Sequence, residues 1–299
     1  MLEPTLNYVM CPDADGGHRM AYWQWGDALA PHVVVCAHGL TRQGRDFDTL
    51  ARALCNRQEH AVRVVCPDVV GRGRSDWLKN PMGYQIPAYA ADMLVLLAQL
   101  RPTTLDWLGT SMGGVIGMIL CGQPGLALPV PVRRLVLNDV GPVMQWQALQ
   151  RIGEYLGQTG QFASLQEAAD ALWATSSSFG PHTPAQWLAL SAPMVRPLPQ
   201  QPGCLTLNYD PGIAVPIRSV TAESVAQGEA ALWQLYDNIR AETLLLRGAE
   251  SDLLSGETAR AMTARGPRAR LVQFEGVGHA PTLIADDQVQ AVASFLLHK

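Results

Sequence analysis

A set of short, largely apolar runs spaced by helical patterns constrains this chain more than any other feature. Residues 32–37 (HVVVCA), 62–67 (VRVVCP), 104–108 (TLDWL), 133–138 (RRLVLN) and 242–247 (ETLLLR) are five or six residues long and rich in Val and Leu. Runs of that kind read as strands buried on both faces. Helical patterns lie between them, near residues 45–54, over 84–100 and over 112–122. A parallel sheet covered by helices on each side is the architecture such alternation requires. Residues 7–11 and 18–25 add antiparallel strands at one edge.

The alternation stops after Gly141-Pro142. From 143 to about 228 the chain reads as helices and loops, with capping signals at Ser164-Leu165-Gln166-Glu167 and Thr183-Pro184 and a proline-rich loop over 193–203. It then resumes with 242–247, a helix over 255–264, a strand over 269–275 (ARLVQFE) and a last helix from Asp286. On that helix Val289, Val292, Phe295 and Leu296 share one face. The expected division is a core of residues 1–141 and 229–299 with a helical insertion over 142–228.

Composition narrows the function. Apolar residues make up 48% of the 299, enough for a large core, while a net charge of −4 and 16% charged residues show no basic stripe for nucleic acid. Cys11, Cys36, Cys55, Cys66, Cys121 and Cys204 form no CxxC pair and read as reduced thiols in a cytoplasmic protein. The start, MLEPTLNYVM, lacks the basic and apolar regions of a signal peptide. Residues 107–132 carry no formal charge, but their glycines and prolines argue against membrane insertion.

One junction carries chemistry. Gly109-Thr110-Ser111-Met112-Gly113 follows the strand TLDWL and opens a helix, the setting in which a sharp turn lifts a serine hydroxyl clear of the backbone. Such a hydroxyl needs a base within hydrogen-bond reach. Of seven histidines, His18, His32 and His60 sit near strand starts, His182 in the insertion and His298 at the end. His279, in GVGHAP between the last strand and the last helix, is placed to reach the carboxyl edge of the sheet. The base in turn needs an orienting carboxylate. Asp252, in GAESD after ETLLLR, is expected to be that group in the order Ser…Asp…His. Asp139, after RRLVLN, is its rival, and Glu250 a weaker one. Oxyanion donors are expected from the amides of Met112 and of Leu40, in the loop His38-Gly39-Leu40, with His38 anchoring that loop.

Together His38-Gly39, residues 68–76 (DVVGRGRSD), GTSMGG, GAESD and GVGHAP resemble the α/β-hydrolase superfamily, in that family's order and over nearly the whole chain. The resemblance implies a mostly parallel eight-stranded sheet flanked by helices, with a helical cap inserted after the sixth strand. It also implies Ser111 as nucleophile, His279 as base, Asp252 as its partner, and Leu40 and Met112 as oxyanion donors. Serine at the elbow departs from dehalogenases and epoxide hydrolases, and Thr41 replaces the proline of the H-G-x-P pattern. The GRGRS segment lacks the third glycine of a dinucleotide site, and no HExxH or histidine cluster suggests a metal, so neither cofactor nor metal is expected. The expected activity is hydrolysis of a small or medium, partly apolar carboxylic ester. Trp146, Tyr155, Trp173, Phe179 and Trp187 of the insertion are candidates to shape the pocket. The same residues would also serve thioester, lactone or carbon–carbon bond hydrolysis, perhydrolysis or acyl transfer. A non-catalytic small-ligand receptor on the same fold is the alternative from another class.

Overall fold

The apolar runs become strands over nearly the residues their composition marks. The computed structural model describes residues 2–56 and 61–297, so that His60 and His298 lie outside the described residues. Strands β1 (Thr5–Cys11), β2 (His18–Trp25), β3 (His32–Ala37), β4 (Val62–Pro67), β5 (Thr104–Thr110) and β6 (Val132–Asn138) precede the insertion. Strands β7 (Val195–Pro197) and β8 (Leu205–Leu207) lie within it, and β9 (Glu242–Gly248) and β10 (Arg270–Phe274) follow. Eight of these form one sheet in the order β1-β2-β4-β3-β5-β6-β9-β10, antiparallel at β1-β2 and β2-β4 and parallel elsewhere.

Side-chain alternation along each strand divides the core in two. On β3, Val33, Val35 and Ala37 face one apolar cluster while Val34 and Cys36 face the other. On β9, Leu245 faces the first and Leu244 and Leu246 the second. The first cluster is covered by α2 (Ile86–Leu100), α3 (Met112–Gly122), α8 (Ala222–Asn238) and α9 (Gly256–Ala264), through residues such as Met93, Ile116, Tyr236 and Met262. The second lies under α1 (Asp48–Cys55) and α10 (Asp286–Leu297), where Leu50, Leu54, Val292 and Leu296 are buried. The six cysteines are free thiols, Cys11, Cys36 and Cys66 being buried. Among the described residues, no helix is long and apolar enough to cross a membrane.

The insertion consists of α4 (Trp146–Tyr155), α5 (Leu165–Ser176), α6 (Pro184–Ser191), the β7-β8 pair and α7 (Ala214–Arg218). Both capping signals act: the Ser164 hydroxyl accepts the Glu167 amide, and Thr183 forms a reciprocal box with Gln186. Three expectations shift. The proline-rich segment 193–203 contains β7, since three residues paired with β8 are too few to show a sequence period. The second helix starts at Ile86, because Pro87 fits its first turn, and a separate 3-10 turn covers Pro81–Gly83. The expected boundary at 228/229 falls inside α8, whose Leu232, Trp233 and Tyr236 pack on the sheet's own core.

At the β5–α3 junction the strand and helix pack with no room for side chains. A Cβ on Gly109 would stand 2.1 Å from the Gly113 carbonyl oxygen, and one on Gly113 would stand 2.0 Å from that of Ala37. Backbone, not a flexible side chain, is what such an atom would meet. Gly113→Ala is therefore expected to cost about 1–3 kcal/mol of stability, read as a lower urea midpoint. An unchanged midpoint would show that the junction opens freely.

Candidate active site

Ser111 sits between β5 and α3 with φ 52° and ψ −116°, a conformation non-glycine residues rarely hold. Strain of that kind costs about 1–3 kcal/mol and persists only where the surroundings enforce it. Here the Ser111 amide donates to the Asn138 carbonyl at 3.0 Å, and the Gly113 amide to the His38 carbonyl at 3.1 Å. The hydroxyl is thereby held above the sheet edge. Its Oγ lies 3.0 Å from Nε2 of His279, in the loop between β10 and α10.

Nδ1 of His279 meets Asp139, not Asp252. Asp139 Oδ2 lies 2.7 Å away, and the carboxylate also accepts the Gly248 amide at 2.9 Å and the Ser251 hydroxyl at 2.6 Å. Asp139 is fully buried at the end of β6, with φ 57° that aspartate tolerates better than most residues. Asp252 is half exposed and bound to Arg151 Nη2 of α4 at 2.5 Å. The expectation for Asp252 fails because chain order cannot discriminate: Asp139 also lies between the serine and the histidine. The GAESD loop does serve the site, through Ser251, whose hydroxyl fixes the Asp139 carboxylate. The buried Asp139 carboxylate, held by three hydrogen bonds, fixes the orientation of the imidazole through Nδ1 and turns Nε2 toward the serine hydroxyl. Further bonds fix the histidine loop: Asn138 Nδ2 donates to the Pro281 carbonyl, the Gly278 amide to Ser178, and the Ser178 hydroxyl to the His279 carbonyl.

The two expected donor amides have defined directions. The Gly39 carbonyl accepts from His38 Nδ1 at 2.7 Å and from the Arg42 amide at 3.1 Å. In a trans peptide the N–H points opposite to the C=O, so the Leu40 amide faces away from that pair, and Leu40 itself lines the cavity described below. The Ser111 carbonyl accepts the Gly114 and Val115 amides along α3. The Met112 N–H accordingly projects from the helix N-terminus. Among the described residues, neither amide has an acceptor in the protein. Arg72 is a feature that the sequence reading passed over. Fully buried, it donates through Nε to the Leu40 carbonyl at 2.8 Å and reaches Met112 Sδ at 3.6 Å, binding both donor segments together.

His38 is the anchor of this arrangement. It is completely buried, and its Nε2 accepts the Val69 amide at 2.9 Å. Burial pushes its pKa down to about 3, so the ring is neutral over the working range. Asp68, which receives the Gly44 and Arg74 amides, is pushed up to about 6 by its own burial.

Above Ser111 and His279 lies a cavity of about 360 Å³ roofed by the insertion. Tyr155 and Phe179 line it, together with Leu172, Met194 and Leu207, which the sequence reading did not select. Trp146, Trp173 and Trp187 do not line it, and their expected place is corrected. Trp187 is buried in the insertion's own core with Nε1 on the Ala169 carbonyl, and Trp173 stacks edge-on against it at 5.0 Å. Trp146 is half-buried on α4 away from the cavity. A tryptophan of a helical insertion can complete that insertion's core or face the ligand, and the local sequence does not distinguish the two.

Among the described residues, Cys11, His18 and Asp92 bring metal-ligating atoms within 4.8 Å of one another. Both His18 nitrogens are already held, by Asp13 at 2.9 Å and Asp92 at 3.1 Å, and burial pushes the Cys11 thiol far up. This cluster ties the β1-β2 hairpin to α2 and is separate from the Ser111 cavity.

The neutral state of His38 makes a pH prediction. Between about pH 6.5 and 3 the unfolded chain binds a proton at this residue and the folded one does not, so acid favours unfolding. Relative to His38→Asn, the wild type should lose up to about 1.4 kcal/mol per pH unit on acidification below 6.5, measured by urea unfolding. A difference independent of pH would contradict a neutral buried ring.

Comparison with known proteins agrees with this geometry. The model of the alpha/beta hydrolase family matches residues 34–295. A "3-hydroxybutyrate-oligomer hydrolase" of Cupriavidus necator is 49% identical over 294 residues, 98% of each chain. The crystal structure of an alpha/beta hydrolase from Novosphingobium aromaticivorans superposes with a TM-score of 0.83 at 35% identity, covering 99% of both chains. A Mycobacterium tuberculosis esterase shares the fold alone, with a TM-score of 0.69 at 23% identity over 98% of this chain and 89% of that one. Chain-wide match, sheet order and elbow geometry converge: the protein belongs to the alpha/beta hydrolase family and is a hydrolase of that type.

Proposed function

We propose that this hydrolase cleaves carboxylic esters through an acyl-enzyme on Ser111, and that its substrates are short oligoesters of hydroxy acids. The observation that carries the reading is the unbroken hydrogen-bonded chain from Ser111 Oγ through His279 to buried Asp139, at the floor of an apolar cavity. The cavity volume is at the small end of the roughly 300–1,000 Å³ usual for ligand sites, which suits a compact substrate. The oligoester assignment rests on the printed name of the Cupriavidus relative.

In this reading His279 Nε2 takes the serine proton as Oγ attacks the ester carbonyl. The oxyanion is stabilised by the Leu40 and Met112 amides, and loss of one such donor raises the barrier by about 3–4 kcal/mol. Asp139 stabilises the imidazolium without taking its proton. His279 then protonates the leaving alcohol, the ester bond breaks, and the acyl group stays on Ser111. Water, deprotonated by the same imidazole, attacks the acyl-enzyme; the acid departs and the serine regains its proton. Leu172, Phe179 and Met194 keep bulk water from the acyl chain.

A fluorophosphonate should label wild type at Ser111 and leave Ser111→Ala unlabelled, and wild type should hydrolyse p-nitrophenyl butyrate and the linear dimer of 3-hydroxybutyrate. Asp139→Asn should lower kcat by about 10³–10⁴-fold, since the imidazole loses its tautomer and its counter-charge. The loss for Asp252→Asn should be at least about 100-fold smaller. A wild type that neither labels nor turns over esters contradicts the reading, as does a larger loss from Asp252→Asn.

A further inference from the structure

Two guanidinium groups line the Ser111 cavity, and their states differ. Arg42, next to the Leu40 loop, is committed: Nε and Nη2 grip both oxygens of Asp46 at 2.6 and 2.8 Å, and Nη2 also approaches the Leu190 carbonyl. Its charge is neutralised by a fork-to-fork pair and its side chain is mostly covered. Arg151, on α4 of the insertion, gives a single contact, from Nη2 to Asp252 Oδ2. Both partners of that pair are nearly half exposed, which places it at the solvent-facing mouth of the cavity. Among the described residues, Nε and Nη1 of Arg151 have no acceptor in the protein.

An arginine in a mostly apolar cavity, with most of its donors unused, is arranged to receive an anion of planar geometry. We infer that Arg151 binds a free carboxylate of the substrate, with Asp252 holding the guanidinium in position between turnovers. The inference rests on the oligoester-hydrolase reading and adds to it the substrate group that is recognised and an end preference. In a linear oligoester of hydroxy acids, the free carboxylate always lies on the alcohol side of every ester bond. A carboxylate held by Arg151 therefore belongs to the leaving hydroxy acid, while the acyl portion stays on Ser111. Such an enzyme takes oligoesters by their acid end and discriminates against alkyl esters that present no charge there. The pair also links the insertion, through α4, to the core loop after β9, so an entering carboxylate competes with Asp252 for a contact between the two.

The test compares the linear 3-hydroxybutyrate dimer with its methyl ester, which differ only in the terminal charge, and uses p-nitrophenyl butyrate with fluorophosphonate labelling to report the hydrolase itself. Wild type should show a kcat/KM at least about tenfold higher for the acid than for its methyl ester, with the difference mainly in KM. Arg151→Gln should reduce that ratio about 10–100-fold, and Arg151→Lys should retain part of it. The inference is overturned if wild type shows no preference for the acid, or if Arg151→Gln leaves the ratio as it was. Both of those results would leave the hydrolase reading standing. Absence of Ser111 labelling and of p-nitrophenyl butyrate hydrolysis would instead overturn that reading, and this inference with it.

Discussion

The strained backbone of Ser111 is the constraint on which the site depends. A serine at φ 52° is held there because Gly109 and Gly113 let α3 press against β5 and β3 at distances no side chain allows. The same packing sends the Ser111 carbonyl along the helix and the Met112 amide out of its N-terminus, so one backbone turn positions both a hydroxyl and a hydrogen-bond donor. The neighbouring strand ends complete the arrangement, β3 leading into His38 and Leu40, and β6 into Asn138 and Asp139. Parallel strands place all these ends at one edge, which is why residues far apart in sequence meet there.

The fold was legible because its strands are apolar on both faces. Segments such as HVVVCA and VRVVCP have few alternatives to a central strand, and their observed bounds coincide with the apolar runs. The elbow and the His279 loop were legible for a related reason: glycines mark backbone that must turn tightly next to a sheet. Asp139 was harder. Both it and Asp252 follow strands at the same edge, and only the register of β6 and β9 decides which carboxylate points at the imidazole. The sequence of GAESD offers three polar residues, Glu250, Ser251 and Asp252, of which the structure brings Ser251 to the Asp139 carboxylate and Asp252 to Arg151.

The insertion was the least legible part. Its aromatic residues divide between lining the cavity, as Tyr155 and Phe179 do, and building a small separate core, as Trp187 does with Ala169 and Leu190. That division depends on how α5 and α6 pack against each other, a tertiary matter that helical periodicity does not encode. Arg72 was missed for a different reason. A lone arginine in a glycine-rich turn reads as a surface residue, whereas here it is buried against Tyr89 and bonded to the Leu40 carbonyl.

A single hydrogen bond, between His279 Nδ1 and the buried Asp139 carboxylate, orients the imidazole toward Ser111. Proton NMR of the free protein reads that bond directly, as a far-downfield resonance of the hydrogen held between the imidazole and the carboxylate. The signal is expected in wild type and in Asp252→Asn, and is expected to be lost in Asp139→Asn and His279→Gln. A signal that survives Asp139→Asn and vanishes in Asp252→Asn would contradict it.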